Sequence, residues 1–185
     1  MPDNVIVTER IVLRHWRESD FEAFFAMNTD PRVMEFLGEP HTREKSKAAF
    51  QRMQDHIQAH GFGFWAVGLV DKPESFIGFV GTGHIGFEAH FTPAVEIGWR
   101  LLPQYWGHGY ATEAAKAALD YTFSKGIAEV VGCTIPANVR SQNVMHKIGM
   151  ERDFAGDFNH PRVEVGHRLA PHWLYRIKNT GILPR

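Results

Sequence analysis

The run from Val95 to Ala114 constrains the fold of this chain more than any other stretch. It begins with a β-branched and aromatic segment typical of a strand, which Pro103 ends because proline has no N–H to donate to a sheet. Gly107 and Gly109 then predict a short turn, and the alanine-rich run that starts at Tyr110 predicts a helix. A glycine turn before a helix presents unpaired backbone N–H groups and the positive end of the helix dipole. The sequence therefore predicts a strand–turn–helix unit that binds phosphate.

The rest of the chain predicts strands and helices on both sides of this unit. In chain order we expect a strand at 8–16, helices from 19, at 32–37 and at 43–60, strands at 61–70, 76–85 and 91–102, a helix at 110–123, a strand at 130–135, a helix at 138–147, and a closing strand pair at 150–158 and 165–177. Alternation of strand and helix in the second half implies a parallel pairing, and the consecutive strands before it imply antiparallel pairing. We expect a single α/β (α+β) domain over residues 1–185, with a mixed, mostly antiparallel sheet and helices on both faces.

Composition excludes several classes of protein. The formal net charge of -1 carries no sign of a nucleic-acid or membrane-surface partner. Cys133 is the single cysteine, so an intrachain disulfide is impossible, and its apolar surroundings show no activated-thiol pattern. The first residues lack a basic start and an apolar block, and no apolar run reaches the roughly 18 residues of a membrane helix. We expect a cytoplasmic protein.

Two glycine patterns compete as nucleotide sites. Gly81-x-Gly83-x-x-Gly86 matches the dinucleotide fingerprint, but residues 87–93 show no helix pattern after it, so we reject a nicotinamide site. The second pattern, at 104–109, follows a strand and leads into a helix. It has no Gly-Lys-Ser/Thr sequence to reach a terminal phosphate and magnesium, so phosphoryl transfer is not indicated.

Three motifs then occur in order along the chain: Glu96-Ile-Gly-Trp, then Gln104-x-x-Gly-x-Gly-x-Ala, then Asn138-x-x-Ser with Gly149-Met150 after it. In this order they resemble the GCN5-related N-acetyltransferase (GNAT) superfamily. The opening Thr8-Glu-Arg-Ile-x-Leu-Arg14 is similar to its ribosomal-protein alanine acetyltransferase (RimJ/RimL-like) branch. The resemblance implies a GNAT fold whose sheet splays between the fourth and fifth predicted strands, with acetyl-CoA as the acyl donor.

The resemblance also implies a set of cofactor contacts. The pantetheine arm is expected on the backbone of the fourth predicted strand, and the pyrophosphate on the amides of the glycine turn. The residues so assigned are Trp99, Arg100, Leu101, Gln104, Gly107, His108, Gly109, Tyr110, Ala111, Thr112, Asn138 and Ser141. Asn138 also suits an ordinary helix N-cap, and both roles are compatible.

Glu96 and Ser141 are the candidate catalytic residues. In the family-like role Glu96 is the general base that removes a proton from the acceptor amine, through water. The alternative is a carboxylate that faces solvent or pairs with a basic group. The tyrosine that many family members use to protonate the departing thiolate falls at Met145, which cannot donate a proton. Ser141 is the expected replacement; its alternative is a serine on the exposed side of a short helix.

The expected reaction is acetyl transfer to a primary amine, either a protein N-terminus or a small molecule, by direct attack in a ternary complex. The alternative is a non-catalytic acyl-CoA-binding sensor or regulatory module, motivated by the missing tyrosine at Met145. We expect a monomer or homodimer. The histidines lack the spacing of a zinc site, so no metal is expected. This holds for the pair His84 and His90 and for the set His160, His167 and His172.

Overall fold

The computed structural model describes residues 4–181. In chain order the elements are β1 Asn4–Val7, β2 Ile11–Arg14, a 3-10 turn Glu18–Asp20, α1 Phe21–Thr29, α2 Pro31–Met34, α3 Arg43–His60, β3 Phe64–Leu69, β4 Gly78–His84, β5 Val95–Leu101, a 3-10 turn Pro103–Tyr105, α4 Tyr110–Ser124, β6 Glu129–Thr134, α5 Val139–Lys147, β7 Glu151–Asn159 and β8 Pro171–Lys178. None of the helices in this part of the chain combines the length and apolar character needed to cross a bilayer.

The eight strands form one sheet in the order β1-β2-β3-β4-β5-β6-β8-β7. Every neighbouring pair is antiparallel except β5 with β6, which is parallel. The expected mixed, mostly antiparallel sheet is therefore confirmed. The strand–turn–helix unit lies at its centre as β5, the glycine turn and α4.

Several strand boundaries differ from the sequence prediction: β3 begins at Phe64 rather than 61, β5 begins at Val95 rather than 91, and two further regions differ as follows. The region expected as one strand at 8–16 contributes β2, and a preceding strand, β1, pairs with it through a tight turn in which Thr8 N–H donates to Ile11 O at 3.0 Å. The last strand begins at Pro171 rather than 165, because residues 160–170 form successive turns that His160 N–H closes on Ala170 O at 2.8 Å. In both regions the turn hydrogen bonds outweigh the tendency of the residues to form a continuous strand.

Helices cover both faces of the sheet. On one face the ring of Phe24 in α1 lies 6.0 Å from that of Phe79 in β4, and α3 packs behind it through Phe50. On the other face the hydroxyls of Thr82 in β4 and Thr122 in α4 are 2.7 Å apart. These two layers place α1 and α3 opposite α4, and helices on both faces of the sheet were expected from the sequence.

A buried ion pair fixes the start of α1. Both side chains are essentially inaccessible, and Arg14 Nη2 lies 2.7 Å from Asp20 Oδ1 while Nη1 lies 2.8 Å from Oδ2. Asp20 also accepts the backbone N–H of Arg17 at 2.8 Å, and Arg14 Nε donates to Pro73 O at 2.8 Å. A buried charge pair is tolerated only with such complete hydrogen bonding, so this pair holds β2, α1 and the β3–β4 loop in one arrangement.

The glycines of the rejected dinucleotide fingerprint serve packing within the sheet. Gly81 and Gly83 lie inside β4, and a Cβ at Gly81 would collide with the backbone carbonyl of Gly63. A Cβ at Gly83 would lie 2.9 Å from the ring of Phe64. No helix lies between β4 and β5, so the motif lacks the element that would bind a pyrophosphate.

Candidate active site

The site begins where β5 and β6 separate. Among the described residues the two strands pair at a single position, Glu96 opposite Val131. By contrast, β5 pairs with β4 over its whole length, from Val95 to Leu101. A gap therefore opens along β5 beyond Glu96, at the expected splay between the fourth and fifth predicted strands.

Hydrogen bonds show which way the polar backbone groups of β5 point. Ala94 O accepts from Ile85 N–H at 3.0 Å. Leu102 N–H donates to Ile77 O at 2.9 Å, so even-numbered positions bond toward β4. Successive residues of a strand direct these groups to opposite sides. The N–H and C=O of Trp99 therefore point into the gap, where an extended chain with amide groups would pair with them.

The glycine turn presents backbone donors at the end of this gap. Gly107 and Gly109 have φ of 80° and 81°, the left-handed region that favours glycine. Gly109 is the N-cap of α4 and supplies no side chain, and the first intrahelical bond runs from Glu113 N–H to Gly109 O at 3.0 Å. The N–H groups of 110–112 are therefore the free donors of the first turn. The residues of this turn that were assigned from sequence lie together at one helix N-terminus, where free N–H groups and the helix dipole favour an anion.

Arg10 lies against the same turn and was not among the residues assigned from sequence. Its Nη1 donates to His108 O at 2.9 Å, and its Nη2 pairs with Glu113 Oε2 at 2.6 Å. The rings of His108 and Tyr110 stack beside it, with centroids 5.5 Å apart. Arg10 is 98 residues from His108 in the chain, so only the fold reveals that this cation braces the turn. Gln104 is exposed in the short 3-10 turn before it.

Glu96 is a half-buried carboxyl at the point where the strands separate. It lies on the face of β5 opposite Ile97 and Trp99. Burial raises its pKa from 4.5 to about 7, while the positive charge of Arg162 acts in the opposite direction. Its carboxyl has no hydrogen bond or ion pair within residues 4–181, so the structurally paired alternative finds no partner there. A carboxyl that loses its proton near neutrality suits a general base.

Cys133, on β6 close to Glu96, is not a reactive thiol. Burial raises the pKa of its thiol to about 12, and the neighbouring charge of Glu96 adds to the effect. The thiolate needed for nucleophilic attack is therefore scarce at neutral pH. This agrees with the prediction that Cys133 is not an activated thiol.

Asn138 and Ser141 lie at the start of α5. Asn138 Oδ1 accepts the backbone N–H of Ser141 at 3.1 Å, which is the N-cap role. The Ser141 hydroxyl itself has no hydrogen-bond partner in the described part of the chain. Met145, one turn further, is only 1% exposed and packs toward Gly132 of β6. The side chain at the tyrosine position is thus a core residue, and Ser141 has the free donor.

Arg100 combines a backbone position with an unusual side chain. The side chain lies on the same face of β5 as Glu96, where Nη1 donates to Asn28 Oδ1 at 2.5 Å and the guanidinium stacks over Phe79. Burial lowers its pKa to about 10. No carboxylate pairs with it in the part of the chain that the structure describes. Sequence reasoning assigned Arg100 for its backbone alone and did not anticipate this unneutralised cation.

Comparisons with known proteins agree with this geometry. The family model described as Acetyltransferase (GNAT) domain matches residues 10–151. The chain is 31% identical over 150 residues to YnaD, an uncharacterized N-acetyltransferase of Bacillus subtilis, covering 80% of this chain and 83% of that protein.

Solved structures give the same result. An acetyltransferase (GNAT family) from Bacillus anthracis superposes with a TM-score of 0.74 at 28% identity, covering 94% of this chain and 97% of that chain. Mycobacterium smegmatis RimJ in complex with CoA-disulfide has a TM-score of 0.73 at 19% identity over 95% of this chain and 84% of that chain, a likeness of fold alone. The RimJ/RimL branch is therefore not established. The gap in the sheet, the glycine turn and these matches together show that the chain belongs to the GNAT family and is an N-acetyltransferase.

Proposed function

We propose that this enzyme transfers the acetyl group of acetyl-CoA to a primary amine by direct attack in a ternary complex. The observation that carries the proposal is the position of Glu96, a carboxyl with a pKa of about 7 at the edge of the strand gap. A base placed there has the protonation behaviour needed to deprotonate an ammonium group at neutral pH. Family membership indicates the reaction class, acetyl transfer, and Glu96 is the general base proposed for it.

Acetyl-CoA is proposed to bind along β5 and end on the glycine turn. The outward-facing N–H and C=O of Trp99 are the expected partners of the pantetheine amides, and Asn138 is a further amide partner from α5. The free N–H groups of 110–112 and the guanidinium of Arg10 would bind the pyrophosphate. Among the GNAT folds similar to this chain, the M. smegmatis RimJ structure contains CoA-disulfide.

The transfer step then follows from these positions. Glu96 takes a proton from the acceptor ammonium through water, and the neutral nitrogen forms a bond to the thioester carbonyl carbon. A β5 amide that faces the gap stabilises the oxyanion of the tetrahedral intermediate. The C–S bond breaks, the sulfur leaves as the CoA thiolate, and the nitrogen releases its second proton to solvent to give the neutral amide. The Ser141 hydroxyl donates a hydrogen bond to that thiolate and lowers its energy until solvent protonates it.

The non-catalytic acyl-CoA sensor is the weaker alternative. It was motivated by Met145 in place of tyrosine, but the unpartnered hydroxyl of Ser141 supports a replacement donor one helical turn earlier. The match to N-acetyltransferases also favours an enzyme. Tight CoA binding without release of thiol on any amine would favour the sensor instead.

The proposed acceptor is a peptide N-terminal amine or a small-molecule amine. The likeness of the opening Thr8–Arg14 motif to the RimJ/RimL branch favours the peptide. The deciding experiment incubates the enzyme with acetyl-CoA bearing a heavy-isotope acetyl group and cell lysate separated by size, then identifies labelled products by mass spectrometry. Label in small molecules alone would refute the peptide acceptor, and absence of label in every fraction would refute acetyl transfer.

A further inference from the structure

Three histidines meet at the end of α3 and the end of β4. His56 and His60 are one helical turn apart on α3, and His84 is the last residue of β4. One ring nitrogen from each lies within 4.8 Å of the other two. The sequence analysis considered the spacing of His84 and His90 and missed this cluster, because the fold brings His84 to two histidines that precede it by more than twenty residues.

The hydrogen bonds of His56 orient it as a metal ligand. Its Nδ1 lies 3.0 Å from Phe62 O, and a carbonyl can only accept, so Nδ1 carries the proton. His56 Nε2 then accepts the backbone N–H of His84 at 3.1 Å and lies 3.2 Å from His84 Nδ1, so a metal bound at Nε2 would replace that backbone hydrogen bond. Ligating histidines almost always donate their other ring N–H to a carbonyl or carboxylate in this way. Phe62 thus supplies the outer-shell partner of such a site.

The spacing of the ligand atoms also fits a metal. Two nitrogens at about 2.05 Å from a tetrahedral zinc ion are roughly 3.3 Å apart, close to the 3.2 Å between His56 Nε2 and His84 Nδ1. His60 is the last residue of α3 and is exposed, so its side chain can close the remaining distance by a rotamer change.

We propose that His56, His60 and His84 form a binding site for a divalent transition metal of the zinc, nickel or copper class. Three imidazoles suit these borderline ions and do not suit magnesium or calcium, which prefer oxygen ligands. The bound ion would join the C-terminal end of α3 to the end of β4, with water in the remaining coordination positions. His84 directly follows Gly83, the cross-strand partner of Glu96, so the cluster lies beside the proposed base, although the acetyl transfer proposed above needs no metal.

The test measures metal binding directly on the full chain, prepared without a histidine tag and stripped with EDTA. Calorimetric titration with zinc chloride is expected to give one ion per chain, with nickel bound and magnesium not bound. His60→Ala is expected to weaken zinc binding roughly 10-fold or more. His60 has no hydrogen bond from its side chain within residues 4–181, so this variant keeps the fold.

A matched control distinguishes metal binding by the cluster from metal binding by an isolated surface histidine. His90 is also exposed and lies outside the cluster, so His90→Ala is expected to leave zinc binding unchanged. The proposal also predicts that zinc raises the melting temperature of the wild type by about 5 °C at a hundred times its Kd, and that the same zinc concentration raises that of His60→Ala by about half as much or less. Equal zinc affinity in wild type and His60→Ala, or an equal loss in His90→Ala, would overturn it. Acetyl transfer is scored separately by thiol release in EDTA.

Discussion

Replacing Glu96 with glutamine should raise the stability of the protein at alkaline pH while removing activity. Burial raises the pKa of this carboxyl from 4.5 to about 7, so ionising it costs about 3 kcal/mol more in the folded state than in the unfolded state. The folded protein holds the proton more tightly between these two pH values, so stability falls as pH rises through that window. The cost is absent below pH 4.5 and complete above pH 7.

Glutamine keeps the shape of the side chain but has no proton to lose. We therefore expect Glu96→Gln to change the free energy of unfolding little at pH 5 and to increase it by up to about 3 kcal/mol at pH 8. The matched control is Glu151→Gln, at an exposed position of β7, where the substitution should have the same small effect at both pH values. Urea denaturation followed by tryptophan fluorescence at pH 5 and pH 8 measures the difference.

The same substitution changes the rate profile. In the wild type the rate should rise tenfold per pH unit and level off near pH 7, because the base acts only when deprotonated. In Glu96→Gln the rising, acidic limb of the pH–rate profile should flatten, and the maximal rate should fall by roughly 100-fold to 10,000-fold. Thiol release from acetyl-CoA with an acceptor identified from lysate provides the assay. An equal stability change at pH 5 and pH 8 would refute the raised pKa, and an unaltered profile would refute Glu96 as the base.

Three further substitutions test the other parts of the site and fold. Ser141→Ala should lower kcat about 10-fold while leaving the KM for acetyl-CoA nearly unchanged, because the hydroxyl is expected to act on the departing thiolate; steady-state thiol release checks this, and an unchanged kcat removes Ser141 from the mechanism. Arg10→Ala should weaken CoA binding roughly 10-fold by removing the cation that braces the glycine turn; calorimetry measures the Kd, with exposed Arg168→Ala as the control, and an equal Kd would contradict the role. Asp20→Ala should destabilise the fold by about 3 to 5 kcal/mol, since it leaves the buried Arg14 charge without its partner; a loss below 1 kcal/mol in urea denaturation would show that Arg14 finds other compensation.

Local patterns predicted most of the elements. The bounds of α3, Arg43–His60, match the prediction because the signals are local: Thr42 accepts Lys45 N–H at the start, and Gly61 ends the helix in the left-handed conformation with φ of 72°. The strand–turn–helix unit was predicted for the same reason. Glycine, proline and capping residues act within a few positions of themselves.

Contacts between distant parts of the chain were not predicted. Arg10 and Glu113 are 103 residues apart, and no pattern in either segment indicates that they meet. The cluster of His56, His60 and His84 depends in the same way on how α3 lies against the end of β4. Glu96 was selected as a candidate base from its motif, but its pKa depends on burial by elements that only the fold assembles.

Among the described residues β5 and β6 pair only at Glu96 and Val131, so the two halves of the sheet meet at this position and diverge beyond it, like two arms from a vertex. Displacement about a vertex grows with the length of the lever arm. Leu101 is five residues along β5 from Glu96, about 16 Å at roughly 3.3 Å per residue, so a rotation of about 5° moves it by about 1.4 Å. The same rotation leaves Glu96 almost stationary. If Glu96 is the base proposed above, it would therefore keep its place while the two halves of the sheet separate beyond it to admit a long thioester.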